Sequence, residues 1–112
     1  MISPASLPPR IDDLPEVATA AETFVALHAE AGAAWQQVRD LEDDRRHALE
    51  ADTNAYAAAI RQGKPDPGQK NVTKLDAELL KARRRSEALK VAVEDAEEEL
   101  RSAVASHRTE WA

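Results

Sequence analysis

Proline and glycine divide this chain before any other feature does. Its 112 residues hold six Pro and three Gly. Pro4, Pro8, Pro9 and Pro15 fall in the first fifteen residues, and Pro65 and Pro67 stand in Gly63-Lys64-Pro65-Asp66-Pro67-Gly68. Proline lacks a backbone donor and clashes with the preceding helical turn, so it is confined to helix starts, turns and extended segments. Residues 16–62 and 69–112 contain none, and both are rich in Ala, Leu, Glu, Arg and Lys, which lose little on entering a helix. The spacing predicts an all-α chain. An extended Pro-rich arm covers 1–14, and a hairpin domain covers 15–112, with helices over 15–62 and 69–111 joined by a turn at 63–68.

The boundaries have local causes. Asp13-Leu14-Pro15-Glu16 offers a capping carboxylate, a Pro in the first turn and an acid three residues after the cap. Gln62-Gly63 ends the first helix at a residue that tolerates left-handed geometry, and Pro65 forbids continuation. The second helix can start at Asp66-Pro67, with Gln69 completing a capping box, or later at Asn71 or Thr73; the earlier start has the stronger signals.

The second helix has an unbroken 3,4 spacing: Val72, Leu75, Leu79, Ala82, Ser86, Leu89, Val93, Ala96, Leu100, Ala103 and His107. Such a seam suits an antiparallel coiled-coil partner. In the first helix, Phe24, Leu27, Ala31, Ala34, Val38 and Leu41 keep the same spacing. To stay apolar, the seam must then jump to Leu49, Tyr56 and Ile60. Two helices of similar length and a short turn favour an antiparallel hairpin. Centred near residues 65 and 66, the turn predicts facing residues whose numbers total about 131. That sets Ile60 by Val72, Tyr56 by Leu75, Leu49 by Ala82, Val38 by Val93, Ala31 by Leu100 and Leu27 by Val104.

One seam is little core for two helices of this length, so stability is expected to come partly from a protein partner or from self-association. Val25, Trp35, Leu80, Val91 and Trp111 fall off the seam and form a candidate partner-binding face. Isolated exposed apolar residues are also ordinary surface. Trp111 either anchors a partner or staples the open end of the hairpin near Ala20 and Ala21. The arm suits polyproline II and offers Leu7, Pro8, Pro9, Ile11 and Leu14 to a groove on another chain; the alternative is a disordered tail.

Fifteen Lys and Arg against 21 Asp and Glu give a net charge of −6, a poor balance for neutralising nucleic-acid phosphates. There is no Cys, hence neither a disulfide framework nor a thiolate metal site. No apolar run is long enough to span a bilayer, and Met1-Ile2-Ser3-Pro4-Ala5-Ser6 lacks the pattern of a Sec-type signal peptide. In the expected register, Arg45 and Arg46 lie beside Arg83, Arg84 and Arg85. That belt either docks an acidic partner or belongs to a solvated face laced with ion pairs.

Convergent polar groups are scarce. His28, His47 and His107 are the only imidazoles, and Asp44-Arg45-Arg46-His47 supplies one acid-x-x-His unit. Di-metal bundles need two such units and two further carboxylates. There is no phosphate-binding Gly loop and no Gly-x-Ser-x-Gly or His-Glu-x-x-His motif. The expectation is a non-enzymatic protein with no catalytic or metal-binding residue, no cofactor and no small-molecule substrate.

Gly63-Lys64-Pro65-Asp66-Pro67-Gly68, followed by a Lys-, Ala- and Glu-rich helix ending in His107-Arg108-Thr109-Glu110-Trp111, resembles small helical proteins of actinobacterial phages and prophages, from the virion-structure gene region. The resemblance covers about residues 40–112. It implies a particle component or assembly factor, placed in the virion or the host cytoplasm, and carries over no functional residue. The chain is also similar in size and outline to the WXG100 secreted helical hairpins. It departs from them in having no Trp in the turn, no Gly after Trp35-Gln36, and Ile60 four residues after Tyr56 where an acid would stand. A cytosolic adaptor docking through the Arg belt is the other class of reading.

Overall fold

The computed structural model describes residues 15–107. They form an all-α helical hairpin with no strand among the described residues. Helix α1 covers Pro15–Arg61 and α2 covers Lys70–Ser106. The arm residues Leu7, Pro8, Pro9, Ile11 and Leu14, and Trp111, lie outside the described residues.

Helix α1 begins at Pro15, where a missing N–H leaves nothing unpaired, with Glu16 facing the positive end of the helix dipole. It ends at the predicted glycine. Gly63 has φ +69°. The Lys64 N–H donates to the Ala59 carbonyl at 2.8 Å and the Gly63 N–H to the Ile60 carbonyl at 3.1 Å. Those two bonds make a Schellman cap.

Helix α2 begins at Lys70, later than Asp66-Pro67 and just ahead of Asn71. Asp66 is occupied elsewhere: its Oδ1 accepts from the Gly68 N–H at 2.8 Å, closing a turn in which Gly68 has φ +86°. The first turn of α2 contains no acid. Asp52 of α1 supplies one instead. Its Oδ2 accepts from the Val72 N–H at 3.0 Å, and its Oδ1 accepts from Asn71 Nδ2 at 2.9 Å. Satisfying the third N–H of a helix is the task of an N-cap side chain. Here a residue twenty positions upstream performs it. At its other end α2 is described to Ser106, and the predicted end at 111 lies outside the described residues. The Ser106 hydroxyl donates to the Ala103 carbonyl, and the His107 N–H turns back to Val104.

The chain divides into two compact units, Gly32–Glu87 and, among the described residues, 15–31 with 88–107. In the first, Val38, Leu79 and Ala82 make a buried cluster with Leu41 against it. In the second, Val17 is fully buried and Ala96 nearly so, while Phe24 stacks on His28 with ring centroids 5.8 Å apart. Every predicted seam position of α2 is buried or half-buried, as are Phe24, Leu27, Ala31, Ala34, Val38 and Leu41 of α1.

Two expectations are corrected. The seam of α1 does not jump to Leu49, Tyr56 and Ile60, which are 41%, 44% and 62% exposed. It runs on in step through half-buried Arg45, buried Ala48 and Asp52 and, one heptad further, buried Ala59. The register also differs. Within Gly32–Glu87, Asp52 faces Val72 and Arg45 faces Asp76, pairs whose numbers total 124 and 121 rather than 131. Glu16 and His107 in the other unit total 123. The cause is the linker. An extended residue advances about 3.3 Å against 1.5 Å in a helix. Residues 66–69 therefore return alongside α1, where Asp66, Gly68 and Gln69 share a groove with Asp52, Thr53 and Tyr56. Helix α2 starts level with Asp52, and α1 runs on past that start with Ala59 still buried.

These placements fix the expected cost of substitutions, measurable by urea unfolding followed by circular dichroism. Leu79→Ala empties a site only 2% exposed and is expected to cost about 2–5 kcal/mol. Ile60→Ala is expected to stay within about 0.5 kcal/mol. A Cβ on Gly32 meets nothing within 4 Å inside α1, so Gly32→Ala is expected to stabilise by about 0.5–1 kcal/mol. At Gly63 the left-handed backbone reverses the sign, and Gly63→Ala is expected to cost about 1–2 kcal/mol.

Candidate functional site

The side chains that reach outward fall into an apolar set and a charged set. Val25, Trp35, Leu80 and Val91, predicted to lie off the seam, are 54–71% exposed. The Arg39 guanidinium lies 4.8 Å from the centroid of the Trp35 ring, a cation–π contact. Leu49, Tyr56 and Ile60 join this exposed set. Sequence reading missed them because it followed bulky residues. The available signal was the spacing itself: carried on through Arg45, Ala48, Asp52 and Ala59, the seam leaves Leu49, Tyr56 and Ile60 one residue out of step.

The five arginines are not gathered into one belt. Arg45 Nε donates to Asp76 Oδ1 at 2.5 Å. That hydrogen bond, and then the charge of Asp76, hold the Arg45 guanidinium above its ordinary pKa. Arg46 pairs with Asp43 one turn earlier on its own helix. Arg85 borders a groove of about 290 Å³ with Gln37, Leu41, Glu78, Lys81 and Ala82. The observed register sets Arg84 level with about residue 39, some six residues or ~9 Å along the helix from Arg45. Arg83 and Arg84 are exposed. Arg45 and Arg46 are held in separate ion pairs, and Arg83, Arg84 and Arg85, consecutive on α2, point to different sides of that helix.

The polar side chains with titratable character are also dispersed. His28 stacks on Phe24, His47 is exposed, and His107 Nε2 lies 2.8 Å from Glu16 Oε2. Among the described residues no three His, Asp or Glu side chains are grouped so as to hold a metal ion, and Asp44 and His47 are exposed. Asp52 is the single buried polar residue among those described, and both its oxygens are engaged in starting α2. The grooves are open troughs between side chains. One of about 330 Å³ runs along α1, bordered by Arg39, Glu42, Asp43, Arg45, Arg46 and Leu49. No helix among the described residues is long and apolar enough to cross a membrane. Comparison with protein families, curated proteins and solved structures finds no match to this chain.

The Asp52 junction gives a direct test. Asp52→Ala leaves the Val72 N–H buried and unpaired and is expected to cost about 1–3 kcal/mol. The same variant is expected to speed hydrogen exchange at Val72 far more than at Leu79, which amide exchange by NMR reads.

Proposed function

We propose that this chain is a non-enzymatic interaction module that docks on a larger protein assembly. The carrying observation is the placement of its bulky apolar side chains. Trp35, Leu49, Tyr56, Ile60 and Leu80 stand exposed within one unit, while Ala34, Ala48, Ala59 and Ala82 occupy buried seam positions. A chain folded for itself alone gains most by burying its largest residues. Displaying them suits a surface that is covered in a complex, where aromatic and large aliphatic side chains supply most of the binding energy. Short open grooves and dispersed titratable groups suit the same reading.

The assembly we propose is a phage or prophage particle, with the chain acting as a head or head–tail component or as an assembly factor. The turn hexapeptide and the helix that follows it support this reading by their resemblance to such proteins. Leu80 in one unit, 71% exposed, and Val91 in the other, 54% exposed, are each a proposed contact to the assembly.

Density-gradient sedimentation of particles from an induced lysogen carrying the tagged chain tests this. The chain is expected to travel with the particle fraction, and Leu80→Glu with Val91→Glu is expected to return it to the soluble fraction with its helicity intact. An unaltered chain found wholly in the soluble fraction through assembly contradicts the proposal.

A further inference from the structure

From Trp35 to Ile60, α1 carries a second stripe with 3,4 spacing, one residue out of step with the seam. Every position on it is exposed and all lie within Gly32–Glu87. We propose that a second copy of this chain covers this stripe, the two α1 helices packing antiparallel about a two-fold axis between Arg46 and Leu49. The inference rests on the reading of the chain as a docking module and names the partner of its α1 face.

The stripe is complementary to itself in that arrangement, as an isologous contact must be. Residues whose numbers total 95 face each other. Trp35 then meets Ile60 of the second copy, Arg39 meets Tyr56, Glu42 meets Thr53 and Arg46 meets Leu49. Arg39, already over the Trp35 ring, is set to reach the Tyr56 ring of the second copy. The Arg46 stem covers Leu49, its charge already answered by Asp43. Other registers fit worse. A parallel, in-register pair sets Arg39, Glu42 and Arg46 each against its own copy, and like charges opposed across an interface are costly. A slide of one heptad sets Ile60 against Glu42 in one direction and Trp35 against Thr53 in the other.

A stripe of this length measures about 38 Å by about 10 Å, or roughly 400 Å² on each copy. The total falls below the ~1,200–2,000 Å² of stable specific pairs. The dimer is therefore a weak, concentration-dependent one, and covalent capture is the suitable readout.

The chain contains no Cys, so Glu42→Cys with Thr53→Cys adds the only thiols. Within one chain these positions are ~16 Å apart along α1, beyond the ~4.4–6.8 Å Cα separation of a disulfide. In the antiparallel pair they face each other. Mild oxidation of the full chain is expected to yield covalent dimer about tenfold above either single variant, because only facing positions meet disulfide geometry. Adding Leu49→Arg and Tyr56→Arg, which would face Arg46 and Arg39 of the second copy, is expected to abolish the product while the helical signal persists. Leu80→Glu with Val91→Glu is expected to leave it unchanged, so loss of the dimer and loss of docking are read separately. Sedimentation of the unaltered chain is expected to move from 12.3 kDa toward twice that mass as concentration rises. A chain that stays monomeric at its highest attainable concentration, a helical double variant that gives no dimer, or single variants that cross-link as well as the double each overturn the proposal.

Discussion

Asp52 fixes where the second helix starts, and much of the unit around it follows from that. A buried carboxylate is costly unless each oxygen finds a donor. Here one oxygen takes the Val72 N–H and the other takes the Asn71 amide. The same contact supplies negative charge to an α2 terminus whose own first turn has none. A helix that must present its first orphan donors to one particular residue has little freedom to slide. Val38 then meets Leu79 and Ala82, and Arg45 meets Asp76.

The linker is what allows that start. Gly63 ends α1 in a Schellman cap, and Asp66 spends its carboxylate on the turn at Gly68. With Asp66 occupied, the segment stays extended and travels back along α1 before α2 begins. Within this unit, half-buried Arg45, small residues and one acid line the seam of α1 beyond Leu41, and the bulky apolar residues of that stretch are left outside. Tyr56 and Ile60 are exposed because each sits one position off the seam, Ile60 beside buried Ala59. Leu49 is exposed for the same reason.

Much of this was legible in the sequence, and the lapses have identifiable causes. Proline placement and the 3,4 spacing of α2 gave the hairpin and the whole inward face of that helix. The first half of α1 followed in the same way. Beyond Leu41, bulk and spacing pointed to different residues, and spacing prevailed because Ala48 and Ala59 let the helices approach while Asp52 found backbone donors. The register was missed because a tertiary cap leaves no local signature: Asp52 reads as one more acid on a helix rich in them. The Arg belt depended on that register and separated with it. Val25, Trp35, Leu80 and Val91 were readable as outward-facing, since α2 offered an unbroken seam and the first half of α1 did too. Leu49, Tyr56 and Ile60 were not, because they were assigned to the seam.

Methyl nuclear Overhauser contacts in the isotopically labelled chain test the register most directly, since they report which side chains touch without altering any of them. The structure predicts contacts from the Val38 methyls to those of Leu79 and Ala82, together with a hydrogen-bond coupling between the Val72 amide and the Asp52 carboxylate. Contacts from Leu49 to Ala82 and from Tyr56 to Leu75, with no Val38–Ala82 contact, would contradict it.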